Sequence, residues 1–348
     1  WVMFLVVPWA LLGLVFIVIL PDVSGFLLAL SAKSMQTLVV ILQRMADWPW
    51  AVWHHTIPSA WILSLGILAV VLWVLPKQWP GRHFAWGLIL PMLWPWAMQG
   101  PSGALSMTVY DVGQGLSLLI QTEHHNLLFD AGPSRMAGGN AGDAVVLPMV
   151  RHAGVSHLDA MVISHGDDDH AGGFMPVYRA YPPKQTFFGE PDRMPNVTHM
   201  PCLDGQHWRW DGVDFAMLHP DAKTKSGNNR SCVLKVSLGK ASVLIPGDLE
   251  RAGERQLLKR HPERLPSTVL IAGHHGSKSS SSQAWVDQVA PQWVIYSAGY
   301  YNQYGFPHPD VVGRFKRADT KALNTGHCGS IHMTLMADGK VFIESARQ

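Results

Sequence analysis

Charge is scarce in this chain. Acidic and basic residues make up 15% of its 348 positions, against about a quarter in an ordinary soluble protein. Cysteine is scarcer still. Cys202, Cys232 and Cys328 are odd in number and lack C-x-x-C spacing, so neither a disulfide framework nor a zinc finger is expected. Internal repeats and low-complexity tracts are missing. The first residues carry no basic region and no small-residue cleavage site, which argues against a cleaved signal peptide. After residue 100 there is no net charge, with 23 basic and 23 acidic side chains. No global basic field therefore points to nucleic acid.

Apolar runs and tryptophan are what the chain does have. The excess of its 15 Trp lies before residue 100, so composition divides the chain into residues 1–100 and 101–348. "WVMFLVVPWALLGLVFIVIL" is about twenty residues without a charge, long enough to cross a bilayer core. "GFLLALSAKSMQTLVVILQRM" is weaker, because it carries Lys33. "AWILSLGILAVVLWVL" and "FAWGLILPMLWPWAM" are shorter. Trp48, Trp50, Trp53, Trp61, Trp73, Trp79, Trp94 and Trp96 sit near the ends of these runs, as in an interfacial belt. Residues 1–100 are expected to be transmembrane helices, and the chain to be the C-terminal part of a longer membrane protein. Lys77 and Arg82 mark their loop as cytoplasmic by the positive-inside rule. The next helix then delivers residues 101–348 to the outer side of the cytoplasmic (inner) membrane.

The second part alternates strand and helix patterns. "ALSMTVYDV", "LSLLIQT", "NLLFDAG", "LDAMVIS", "VDFAMLHP", "SCVLKVSLG", "ASVLIPGD", "STVLIAGHHGS" and "QWVIYSAG" read as strands, and "LERAGERQLLKRH" as a helix. Strands in two groups with interspersed helices predict two sheets packed face to face and covered by helices. Polar clusters fall at the strand ends: Asp111 with Gln114, Asp130, His165 to His170, Asn228 to Ser231, Asp248, His274 with His275, and Asn302 to His308. Loops on a rigid sheet are where sites are built. Imidazole and carboxylate along one rim are ligands for divalent metal.

"SHGDDDHAGG" resembles the His-x-His-x-Asp-His motif of the metallo-β-lactamase fold, with Asp167 at the second His. "YDVGQGLSLLIQT", "LLFDAG", "NNRSCVLKV", "LIPGDLE", "AGHHGSKSSSS" and "NQYGFPHPDVV", in that order after apolar helices, resemble the C-terminal part of the ComEC family of DNA-uptake proteins. The resemblance implies an α/β fold, the metallo-β-lactamase αββα sandwich preceded by transmembrane helices. It also implies a dinuclear metal site and a nuclease-like phosphodiesterase activity.

Carried over residue by residue, the resemblance gives His165, Asp167, Asp169, His170, Asp248 and His274 as metal ligands. Asp248 is the bridging carboxylate, and His274 is preferred to His275 as the last ligand. Asp169, Asp248, His275 and His308 are assigned to the chemistry, His308 as a general acid. Asn229 and Ser231 lie where a third first-site His would fall. They are assigned as a weak ligand, a holder of water or a substrate contact. Ser277, Lys278 and Asn302 are candidates for gripping phosphate. Asp168 is expected to face solvent, and Asp111 and Gln114 to orient groups behind the ligands. Asp at 167 makes the set richer in oxygen, which favours two Mn²⁺ ions over Zn²⁺. The expected partners are single-stranded DNA, the membrane and other DNA-uptake components. The expected role is degradation of the strand that is not imported. The competing readings are a non-catalytic DNA-guiding domain and another hydrolase of the same fold.

Overall fold

The computed structural model describes residues 1–46, 48, 60–79, 81–93, 100–134, 139–194, 197–224 and 227–347. Trp50, Trp53, Trp94 and Trp96 of the expected belt lie outside the described residues. The chain packs as two units, Trp1–His55 and Thr56–Gln348.

In the first unit a π-helical turn, Val2–Val6, leads into α1 (Val7–Phe16), and α2 (Pro21–Ala46) follows. The twenty-residue apolar run is therefore not one helix. Pro21 has no N–H to continue the ladder and instead opens the next helix. The segment with Lys33, weaker by sequence, forms the long helix. Among the described residues α2 alone is long and apolar enough to cross a membrane, with a mean hydropathy of 1.7. Small residues let α1 and α2 approach closely. A Cβ at Gly13 would stand 2.8 Å from Leu28 Cγ. Ser24 Oγ donates to Gly13 O at 2.7 Å, and Ser31 Oγ to Val6 O at 2.9 Å.

The second unit begins with α3 (Ala60–Val74) and α4 (Phe84–Leu93), both shorter than a span. Among the described residues fifteen strands follow. In the first sheet β1 (Ala104–Val109), β2 (Leu118–Gln121), β3 (Asn126–Phe129), β4 (Ala160–Ile163), β5 (Gln185–Phe188) and β6 (Met200–Pro201) lie side by side. The second sheet holds β7 (His207–Trp210), β8 (Val213–His219), β9 (Val233–Leu238), β10 (Ala241–Ile245), β11 (Val269–Ile271), β12 (Trp293–Tyr296) and β13 (Lys321–Asn324). The chain then returns to the first sheet with β14 (Ile331–Met336), which pairs with β1, and β15 (Val341–Ser345) at the edge. Helices α5 (Leu147–His152), α6 (Asp168–Ala171) and α7 (Phe174–Ala180) belong to the first half. Helices α8 (Arg251–Arg260), α9 (Gln283–Val289), α10 (Pro309–Arg317) and α11 (Thr325–Cys328) belong to the second.

The pleat explains the layers. Leu118, Ile120, Leu127 and Phe129 turn into the space between the sheets and meet Phe215, Met217, Leu234, Val236, Val243 and Ile271. The alternate residues Leu119, Leu128, Met161 and Ile163 pack outward with Val150, Phe174 and Val177 of α5 and α7. On the far side Leu244 and Leu270 pack with Leu257, Trp285, Val311 and Phe315 of α8, α9 and α10. Strands buried on both faces read as continuous apolar runs, and the four layers are the expected αββα sandwich.

One expectation fails. Cys202 and Cys232 form a disulfide, while Cys328 is free. Sequence spacing could not reveal it, because the partners are 30 residues apart and come from different sheets. Cys202 follows β6 and donates its N–H to Phe188 O; Cys232 precedes β9 and donates to Ser164 O. The bond joins the two sheets beside the "SHGDDDHAGG" turn.

Candidate metal centre

The ends of β4, β10 and β11 place the donors. β4 runs into His165, and α6 carries Asp169 and His170; β10 ends before Asp248, and β11 before His274 and His275. Asp169, His170, Asp248 and His275 each offer one donor atom, all within 4.8 Å of one another. His275 Nε2 lies 3.2 Å from both Asp169 Oδ2 and His170 Nε2. Asp248 Oδ1 lies 2.9 Å from His170 Nε2, yet it is buried without an aligned hydrogen bond. His165 Nε2 is likewise buried without an aligned hydrogen bond, 3.4 Å from Asp167 Oδ2, and its ring lies 4.3 Å from that of His170. Burying such atoms unpaired is costly. Donors crowded round a common point fit a divalent cation. Two carboxylates and two imidazoles are a ligand set that zinc, manganese or iron accepts.

Buried groups behind the cluster set the ring orientations. Asp130 is fully buried and accepts from Ser164 N at 2.6 Å, Ser164 Oγ at 2.8 Å and His170 Nδ1 at 2.7 Å. Ser164 Oγ also lies 3.1 Å from His165 Nδ1. With both Nδ1 atoms occupied, both Nε2 atoms turn toward the cluster, as is usual behind metal-binding histidines. Ser231 Oγ accepts from Asp248 N at 3.1 Å. His274 and His275 have φ of 48° and 53°, a left-handed conformation that is strained for residues with a Cβ. That turn aims His275 inward.

The electrostatics follow the geometry. Burial alone would raise the Asp248 carboxyl, but His170 and His275 hold it well below the ordinary range. Burial alone would lower the His170 imidazolium, but Asp248 and Asp130 raise it well above the ordinary value. Asp167 is held at about 2 by its contact with His165 and then by Arg193, against the opposing effect of burial.

The other expected residues fall around this centre. Asp167 lies outside the group of four; its Oδ2 is 3.4 Å from His165 Nε2, and its Oδ1 accepts from Arg193 at 2.9 Å. Asp168 is exposed, as expected, and accepts from Ser134 Oγ at 2.6 Å. His274 Nε2 is 3.5 Å from Asp248 Oδ2, and its Nδ1 lies 3.1 Å from Ser279 Oγ. Asn229 Oδ1 turns to α8 and accepts from Gly253 N at 2.9 Å and Glu250 N at 3.3 Å. Ser277 Oγ sits 3.1 Å from Ser279 Oγ, and Lys278 pairs with Asp310 at 3.1 Å. Asn302 closes its own loop, donating to Phe306 O at 2.6 Å and accepting from Phe306 N at 2.9 Å. His308 caps α10, accepting from Asp310 N at 3.1 Å. Asp111 pairs with Arg347 at 3.2 Å, and Gln114 Oε1 accepts from Gly299 N at 3.5 Å.

Glu190 went unrecognised in the sequence. It gathers the rim, accepting from Gly166 N at 3.0 Å and Gly227 N at 2.7 Å, and it pairs with Arg193. Its position just after β5 was the available signal.

Residues 110–298 match the metallo-beta-lactamase superfamily. The chain is 37% identical to Competence protein ComA of Neisseria gonorrhoeae over 80% of its own length. It is 36% identical to Recombination protein 2 of Haemophilus influenzae over 68%, and 29% identical to ComE operon protein 3 of Bacillus subtilis over 64%. The chain belongs to the ComEC family. It spans 39%, 29% and 32% of those three relatives' lengths. Within the family's metallo-beta-lactamase domain, Asp169, His170, Asp248 and His275 lie where two sheets present donors to one point.

Proposed function

We propose that this chain is part of a DNA-uptake protein in the cytoplasmic membrane, and that its sandwich is a metal-dependent phosphodiesterase. It would degrade the DNA strand that is not imported, together with other uptake components. The convergence of Asp169, His170, Asp248 and His275 beside the buried His165 Nε2 carries this reading. A purely DNA-guiding domain has no use for ionisable groups buried together at such a desolvation cost.

Asp169, His170, His275 and Asp248 would hold one divalent ion. His165 and Asp167, with Asp248 between, would hold a second, with Mn²⁺ favoured. Such ions supply Lewis-acid stabilisation of charge on phosphoryl oxygens. Asp130 and Ser164 keep the imidazole lone pairs aimed at the centre, and Ser231 fixes the Asp248 backbone. His308 accepts from Asp310 N through Nδ1, so its neutral ring carries hydrogen on Nε2, free to donate to a leaving oxygen.

The Cys202–Cys232 bond supports an extracytoplasmic domain, since such bonds persist in oxidising compartments. A domain placed there meets incoming DNA and never the chromosome.

The test is metal analysis of the full chain in detergent with a strand-cleavage assay, on wild type and Asp248→Ala. The variant is expected to lose activity and bound metal together. Wild-type metal content and rate in the variant would overturn the reading. A reporter fused at the C-terminus of the full-length protein tests sidedness, and labelling from the cytoplasm alone would reverse it.

A further inference from the structure

The loop between β12 and α10 exposes aromatic rings beside the metal centre. Tyr300, Tyr301 and Tyr304 are 57%, 90% and 57% exposed, a large aromatic area to leave in water. The loop is built rather than slack. Asn302 spans it with its side chain, donating to Gly299 O and Phe306 O and accepting from Phe306 N. His308 N donates to Gly276 O at 2.9 Å, which ties the loop to the His274–His275 turn.

The rings form a series leading inward. Tyr304 stacks on Phe306 at 5.5 Å with 22° between planes. Phe306 stands edge-on to His274 at 5.9 Å, and His274 to His275 at 6.2 Å. His275 contributes a donor atom to the centre. The outer end of a series of flat rings, three steps from a phosphodiester site, matches one occupant. A nucleobase has a flat π-face of similar size, and stacking of base on aromatic side chain is tolerant of sequence. In a duplex both faces of a base are taken up by its neighbours, so the ring is available only to an unpaired base. Asn302, Gln303 and the tyrosyl hydroxyls leave the loop too polar for an aliphatic partner.

We propose that Tyr304, backed by Phe306, is a base-stacking subsite that selects single-stranded nucleic acid for the metal centre. This rests on the phosphodiesterase reading and deepens it by naming the residue that engages an unpaired base.

The test uses the full chain in detergent and fluorescein-labelled strands of ten nucleotides, one of thymidine and one with tetrahydrofuran abasic residues, equal in charge. Anisotropy is expected to show tighter binding of the thymidine strand. Tyr304→Ala is expected to reduce that preference about fivefold or more, and Tyr304→Phe to retain it. Equal affinity of the wild type for both strands, or a preference that survives Tyr304→Ala, overturns the subsite. Cleavage of the same strands is read in parallel. Preferential binding without cleavage of either strand supports the subsite and refutes the phosphodiesterase. Cleavage of both at equal affinity does the reverse. Lipid vesicles of anionic composition form the last arm, and Tyr304-dependent vesicle binding without base preference would assign the rings to a membrane surface and overturn the proposal.

Discussion

Asp130 acts on the centre only through His170 and Ser164. A carboxylate behind a metal-binding imidazole typically governs affinity by about ten- to a hundredfold. Asp130→Asn is therefore expected to weaken divalent-metal binding by about that factor, read by competition with a chromogenic chelator. Affinity equal to wild type would show that the ring orientation is set elsewhere. Asp167 bears on ion choice. Its carboxylate is shared between His165 and Arg193, and an imidazole there would soften the set. Asp167→His is expected to raise the ratio of Zn²⁺ to Mn²⁺ affinity, and an unchanged ratio in a two-metal competition would sink the preference argument. At this scale the sequence carried the donor types well but their directions poorly. Six Asp and His positions in three short motifs announced a metal site. Whether Asn229 turns toward phosphate or toward a helix end depends on backbone geometry that no motif encodes.

Asn229 caps α8 from a separate turn, reaching the helix end whose first N–H groups lack partners within the helix. Its Oδ1 supplies one. Asn229→Ala is expected to cost about 1 kcal/mol of stability and to leave metal content unchanged; lost metal with unaltered stability would restore the ligand role. At the end of the sandwich away from the metal centre, Asp211 joins two hairpin tips. It accepts from Thr122 Oγ1 at 2.7 Å and His124 N at 2.8 Å, and it lies 3.1 Å from both His124 and His125 Nδ1. Burial opposes its ionisation, but these partners overrule it and hold the carboxyl far below the ordinary value. A depressed carboxyl stabilises above its unfolded value, near 4, and loses that contribution as pH falls through the folded one. The wild-type Tm is therefore expected to drop between about pH 4 and pH 2, and to drop less in Asp211→Asn. Equal drops would show that the clip does not titrate. Elements with both faces buried, such as β4 and β11, were legible because every residue is apolar. β7, reading "HWRW", was not. Its edge position leaves His207 and Arg209 exposed, so tertiary pairing decides its strand state. β13, "KALN", lies at the other edge and was missed for the same reason.

The whole sandwich is stitched across its two sheets twice, by different chemistry. The Cys202–Cys232 bond closes a loop of 30 residues, worth roughly 3–4 kcal/mol by chain entropy. Cys202→Ser is expected to lower stability by about that amount in calorimetry, and thiol titration of the unreduced wild type to find Cys328 alone. Three free thiols would remove the disulfide and its support for an oxidising compartment. The second stitch is the donor set itself, with Asp169 and His170 from the first sheet and Asp248 and His275 from the second. An ion bound there stabilises only the docked sandwich, so Tm is expected to rise with divalent-metal concentration, the gain in stability reaching about 2.7 kcal/mol at a hundredfold excess over Kd. Neither half of the chain holds more than two of the four donors. A nascent chain with one sheet formed therefore has no centre to fill, and capture of the ion is a signal that folding has finished.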